Sequence, residues 1–129
     1  MKIDLPDKLI RYQGDLKEYF DVLTKLISSQ PIPLKSNLED KIPREPGLYR
    51  IFGKTQRSIK EIYVGSSTNI RRRITKDLLG KGKHTLKKKV TLNFLKNNCL
   101  IQFLPIKNER ELKLLEDFTT AILRPKYNY

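Results

Sequence analysis

The sequence predicts an α+β fold: a small antiparallel sheet of three strands flanked by helices, with a helical extension in front. Three observations carry this. The β-rich runs "PGLYRIF" and "EIYVG" stand on either side of a short turn segment, "GKTQRSIK", as the arms of a hairpin do. A third apolar run, "CLIQFLPI", lies between two helical patterns further on. The resulting order β-β-α-α-β-α is that of helices packed on one small sheet.

A chain of 129 residues supports one domain with a single core. Lys and Arg total 27 against 14 Asp and Glu, a formal charge of +13. An excess of that size calls for a polyanionic partner. Nucleic acid leads, because each phosphate neutralised releases condensed counterions. An acidic membrane surface is the alternative, yet no apolar run approaches the ~18 residues of a membrane span. No signal-peptide block opens the chain. A single cysteine, Cys99, excludes an intramolecular disulfide framework and a cysteine-cluster zinc site, and reads as a strand core residue. The expectation is an intracellular protein of the cytoplasm, the nucleoid or a DNA-containing organelle.

Residues 1–14 show little periodicity. From Asp15, "DLKEYFDVLTKLISS" sets Leu16, Tyr19, Phe20, Leu23, Leu26 and Ile27 at helical spacing. So short a helix is marginal alone in water, so its apolar stripe needs a surface: the body of the protein, a protein partner or a second copy. "QPIPLKSNLEDKIPREPG" holds four prolines and predicts a connector. Residues 1–44 thus form a helical extension and Pro-rich linker, and 45–129 the compact domain. After the hairpin, "SSTN" offers N-caps for a helix over "IRRRITKDLL", whose Ile70, Ile74 and Leu78 form the buried stripe. "HTLKKKVTLNFLKNN" predicts another helix, with Leu86, Val90 and Phe94 inward. "ERELKLLEDFTTAILR" predicts the last, stopped by Pro125.

Arg71, Arg72 and Arg73 fan out by about 100° each on a helix, so at most one or two can face a site at the strand end. The rest form a solvated basic face, which is also the simplest reading of all three. Gly65 ends the strand where the helix begins, a place where backbone N–H groups can meet a phosphate. Glu116 falls close to the apolar stripe of the last helix, where a carboxylate needs a partner. A divalent metal, an arginine or a lysine at the rim would each serve. Lys81, Lys83, Lys87, Lys88 and Lys89 are candidate backbone contacts for DNA, or simply a soluble surface.

Taken together, "GLY" at 47–49, "YVG" at 63–65, an arginine ten residues after Tyr63, a helical glutamate and a closing "RPKYN" resemble the GIY-YIG nuclease family. The lead-in "IPREPGLYRIF" is similar to the first nuclease domain of the bacterial excision-repair incision enzyme. "YVGSSTNIRRRI" is similar to homing-endonuclease catalytic domains. Ser66, where repair-type domains have lysine, leans towards the homing branch. The resemblance covers about two-thirds of the chain and implies a three-stranded antiparallel sheet with flanking helices.

It also implies a metal-dependent DNA endonuclease, hydrolysing phosphodiester bonds with one Mg²⁺ or Mn²⁺ on Glu116. By position, Tyr49 and Tyr63 correspond to the two family tyrosines, Tyr49 as general base and Tyr63 in support. Arg73 corresponds to the phosphate-stabilising arginine and Asn128 to the terminal asparagine. Gly47 and Gly65 permit the tight backbone around them. Two departures stand out. Asp77 occupies a place where several members have histidine, and at i,i+4 it can either preorganise or neutralise Arg73. His84, the only histidine, follows a "GKGK" loop and is a further candidate catalytic residue. Arg71, Arg72, Lys81, Lys83, Lys87 and Lys88 are the candidate nucleic-acid contacts. The alternative is a catalytically inactive nucleic-acid-binding module on the same fold.

Overall fold

The computed structural model describes the backbone of residues 7–35 and 37–128, and side chains from residue 16 onward. Helix α1 spans Asp7–Ser28 and β1 Ile32–Pro33; the hairpin is β2, Gly47–Lys54, and β3, Ile59–Ser67. A turn of α-helix at Ile70–Arg72, α2, continues as a π segment over Arg73–Leu78. A 3-10 turn at Thr85–Lys88 precedes α3, Leu92–Asn98. Strand β4 is Cys99–Pro105, and a 3-10 turn at Glu109–Glu111 leads into α4, Leu112–Leu123.

Among the described residues the sheet is antiparallel with order β1-β4-β2-β3, so it has four strands rather than three. The extra strand is two residues of the proline-rich linker, Ile32 opposite Ile101 and Pro33 opposite Leu100. Proline disqualifies a segment from a central strand but not from an edge, which is where β1 lies. Helix α1 also begins at Asp7, within the stretch that lacks apolar periodicity. The expected single helix over 84–98 is two pieces. The Thr91 hydroxyl accepts from the Phe94 N–H at 3.1 Å and so caps a new helix. Helix α4 ends as expected before Pro125, through a left-handed Arg124 at φ 48°.

Central strand β2 is buried on both faces. Tyr49 and Ile51 point into one cluster with Ile70, Ile74, Leu78, Leu86 and Ile101. Leu34, Leu38 and Ile42 of the linker join that cluster, so the connector contributes to the core. Leu48 points the other way, onto Leu26 of α1 and Leu115 of α4. Burying an aliphatic side chain of this kind contributes roughly 1.5–3 kcal/mol. The stripe of α1 finds its surface within the chain, with Leu23 and Leu26 buried and Tyr19 and Val22 packed beside Leu26. Leu16, Phe20 and Ile27, expected on the same stripe, stay exposed; Phe20 lies edge-on to Phe118 at 5.0 Å.

A polar chain crosses the α1 face of the sheet. Arg50 on β2 pairs with Glu61 on β3 and donates to Gln102 Oε1 on β4 at 2.6 Å. The Gln102 amide in turn donates to the Ile27 and Ser29 carbonyls at 2.9 and 2.7 Å, closing the end of α1. All its members are satisfied, which is the condition for burying charge. Arg50→Ala strands the Glu61 carboxylate, and urea unfolding should show a loss of about 3 kcal/mol. Replacing Arg50 and Glu61 together with Met and Leu should recover most of it.

Candidate active site

The hairpin register builds the first part of the site. Tyr49 pairs with Gly65, and Tyr63 pairs with Ile51, so the two tyrosines lie diagonally on one face. Their rings stack 6.1 Å apart with planes 27° from parallel. Glycine at 65 is required by space: a Cβ there would lie 2.4 Å from both Cζ and Oη of Tyr49. Gly47 has a similar reason, since its Cβ would lie 2.3 Å from the Leu104 carbonyl.

His84 completes the cluster. Its Nδ1 accepts from the Leu86 N–H at 3.1 Å, so in the neutral ring the proton sits on Nε2. Nε2 therefore donates to the buried Tyr49 hydroxyl oxygen, 2.7 Å away. The imidazole edge meets the Tyr63 ring at 5.0 Å. Burial, and then the charge of Arg73, push the His84 pKa down to about 4, so the ring is neutral at neutral pH. Burial raises the Tyr49 phenol well above its ordinary value, with Tyr63 adding to it and the Arg73 charge opposing it.

Arg73 opens the π segment. Its Nη1 donates to Asp77 Oδ2 at 3.1 Å and to the Lys83 carbonyl at 2.8 Å. Two clefts share it. One of about 410 Å³ is lined by Gly82, Lys83, His84, Thr85, Lys87 and Lys88; the other, about 370 Å³, by Ser66, Ser67, Thr68, Asn69, Arg72 and Asp77. A larger cleft of about 520 Å³ lies elsewhere, between the linker and Thr75, Leu79 and Lys96, and contains none of these groups.

Glu116 on α4 is mostly buried, and its negative charge reaches Tyr49, where it adds to the upward shift. The carboxylate pairs with the exposed Lys113 at 3.1 Å, and Lys113 also meets Asp117 at 3.2 Å. Asn128 has a main-chain task. Its Oδ1 accepts from Val64 N–H at 2.9 Å, and its Nδ2 donates to the Val64 carbonyl at 2.7 Å. With Tyr127 N–H on the Ile62 carbonyl, it fastens the tail along the outer edge of β3, between Tyr63 and Gly65.

The expected phosphate contacts divide. Arg72, Lys81, Lys83 and Lys88 are exposed. Arg71 is turned to the linker, its Nε donating to the Ile42 carbonyl at 2.6 Å, and Lys87 donates to three main-chain carbonyls. Lys89 reaches the Tyr127 carbonyl at 2.9 Å. The first N–H groups of α2, an expected phosphate cradle, go instead to Glu45 O, Pro43 O and the Asn69 side chain. Sequence reasoning missed the Asn128 clasp and the Lys87 clamp, since both act on backbone carbonyls that no side-chain pattern announces.

A paired-tyrosine hairpin, a helix arginine and a helix glutamate on this sheet define a GIY-YIG endonuclease-type domain. Residues 45–129 match the model of the UvrC-like GIY-YIG domain, and the chain belongs to that family. The magnesium-bound GIY-YIG N-terminal endonuclease domain of UvrC from Thermotoga maritima is 24% identical, with a TM-score of 0.52. That match covers 74% of this chain and 99% of the other. An asparagine-to-alanine variant of the same domain, bound to its catalytic divalent cation, is 23% identical at a TM-score of 0.51. It covers 74% of this chain and 98% of the other. No curated protein matches the chain. The lean towards the homing branch drawn from Ser66 has no counterpart in these matches.

Two measurements test this geometry. Gly65→Ala should push the Tyr49 ring off His84, at a cost of about 1–3 kcal/mol by chemical unfolding. The second concerns pH. His84 has a folded pKa of about 4, below its unfolded value, so the unfolded chain binds more protons in between. Stability should fall as pH drops from about 6.5 towards about 4, by at most about 1.4 kcal/mol per unit. In His84→Asn that component should vanish from the pH profile of unfolding.

Proposed function

We propose that this chain is a metal-dependent DNA endonuclease that hydrolyses phosphodiester bonds at the Tyr49–Tyr63–His84–Arg73–Glu116 cluster. One observation carries the reading: the buried Tyr49 oxygen receives a hydrogen bond from a histidine held neutral, within the field of both Arg73 and Glu116. A phenol raised by burial is seldom ionised, so it serves as a base only once its own proton has passed to solvent and the phenolate left behind is stabilised. The His84 N–H becomes a charge-assisted donor to the phenolate, and Arg73 adds positive charge beside it. Tyr49 is then the general base that takes a proton from the attacking water, with Tyr63 stacked against it to fix the ring. Arg73, permanently charged, holds the phosphate and stabilises the charge that builds on its oxygens.

The donor set fits a hard cation. Glu116 offers one carboxylate, and among the described residues no group of three or more His, Cys, Asp or Glu gathers to hold a metal. Mg²⁺ retains several waters and is commonly bound through one or two carboxylates plus substrate phosphate, so a single glutamate suits it, as it suits Mn²⁺. When bound, the ion supplies Lewis acidity towards the phosphate and the leaving oxygen. DNA is the substrate, and Arg72, Lys81, Lys83 and Lys88 are exposed basic residues close in sequence to Arg73 and His84. No helix among the described residues is long and apolar enough to cross a membrane.

A second reading has its own support. Glu116 is already paired with Lys113 and Arg73 with Asp77, as suits a binding module that has no need of either. Glu116→Gln separates the two. For an enzyme, cleavage of plasmid in Mg²⁺ should fall about 10²-fold or more. DNA affinity in EDTA should persist, because many basic contacts carry it. Arg73→Ala should lower both. A wild type as inactive as Glu116→Gln on supercoiled, branched and single-stranded DNA would leave the binding module standing.

A further inference from the structure

The Lys87 ammonium donates to the carbonyls of Asp77, Gly80 and Gly82 at 3.1, 2.7 and 2.7 Å. An ammonium has three N–H donors, so all are engaged and none is left for a phosphate. The acceptors belong to the end of the π segment and to the turn that follows it. Glycine lets that turn lie tight on the helix: a Cβ at Gly82 would sit 2.3 Å from Asp77 Oδ1, and one at Gly80 2.6 Å from the Lys76 carbonyl. The next two residues after the turn make the contacts that hold the chemistry. Lys83 presents its carbonyl to Arg73 at 2.8 Å, and His84 donates to Tyr49 at 2.7 Å.

We propose that Lys87 is a positioning residue of the nuclease site, clamping the Gly80–Gly82 turn onto the π segment so that Lys83 O meets Arg73 and His84 meets Tyr49. The proposal rests on the nuclease reading given above. It makes the backbone of the "GKGK" stretch a clamped turn whose Lys81 and Lys83 side chains stay exposed, and it separates Lys87 from its exposed neighbour Lys88. The Lys87 charge also helps hold His84 neutral.

Lys87→Met keeps the length of the stem and removes the donors. Affinity for a short DNA duplex in EDTA should stay within about twofold of wild type with the same salt slope, whereas Lys88→Met lowers both. The Mg²⁺-dependent cleavage rate of Lys87→Met at saturating DNA should fall roughly tenfold to a hundredfold, the size of effect expected from misplaced reacting groups. By NMR, the His84 titration midpoint should move up once the neighbouring charge is gone. An affinity loss equal to that of Lys88→Met with an unchanged saturated rate overturns the proposal, as does a variant that matches wild type throughout. Should Lys87→Met not fold, lysine ammonium NMR on wild type decides. The Lys87 signal is expected to be slowly exchanging and unmoved by duplex DNA; a shift as large as that of Lys88 overturns the clamp. If wild type cleaves nothing, the nuclease reading falls with the catalytic part of this one; if wild type and Lys87→Met cleave equally, only the clamp falls.

Discussion

The structure turns on the passage of the Tyr49 ring across Gly65. One residue without a side chain on β3 lets an aromatic from β2 lie flat over the strand, and the register then leaves no choice about where its oxygen goes. That oxygen is buried, and a buried hydroxyl without a partner costs roughly 1–3 kcal/mol. His84 supplies the partner from a turn that is distant in sequence. The tail along β3, the linker against α2 and the turn clamped by Lys87 all brace the strands and loop that bring these two groups together. Sterics at one backbone position thus specify a hydrogen bond, and the hydrogen bond specifies the site.

Much of the fold was legible because it obeys local rules. The hairpin, the third long strand, the helix with Ile70, Ile74 and Leu78 inward, and the stop at Pro125 follow from period and turn chemistry. What escaped is long-range. Strand β1 is two linker residues that pair only because β4 offers them an edge. The buried face of α1 runs through Tyr19, Val22, Leu23 and Leu26, leaving Phe20 and Ile27 out, because Leu48 and Leu115 decide the angle of approach. Periodicity shows that a stripe exists; it does not say which edge of it a neighbour will cover. Likewise the family resemblance points to Tyr49, Tyr63, Arg73 and Glu116 by position in the sequence. The hydrogen bond that ties His84 to Tyr49 depends on how the loop folds back.

Asp77 shows why an alternative at the residue level needed the structure. An aspartate four residues after an arginine can neutralise it or aim it. Arg73 is shared between the Asp77 carboxylate and the neutral Lys83 carbonyl through one terminal nitrogen, and its guanidinium also bonds the Tyr49 hydroxyl. A guanidinium has five donors, so this arrangement leaves others for a phosphate. Asp77 orients Arg73 while removing part of its net charge. Glu116 stands in a comparable state, with a flexible and exposed lysine as its partner. Because the lysine end of that pair is exposed and screened by solvent, a ligand with a stronger claim on Glu116 displaces it at small cost.

The separation of charge from chemistry follows from the same economy of donors. A chain with thirteen excess positive charges has far more basic side chains than a phosphate site can use. The fold assigns several of them to carbonyls: Arg71 to the linker, Lys87 to the turn, Lys89 to the tail. Each holds a segment that borders the tyrosine cluster, and Arg71 and Lys87 give up part of their contact with solvent to do so. Arg72, Lys81, Lys83 and Lys88 stay outside, where salt screens them, and under the proposed function their contribution to DNA binding is spread over many positions. Affinity carried by a diffuse outer layer tolerates the loss of any one member. Geometry carried by single ammonium and guanidinium groups does not, and it is there that the catalytic proposal is most exposed to substitution.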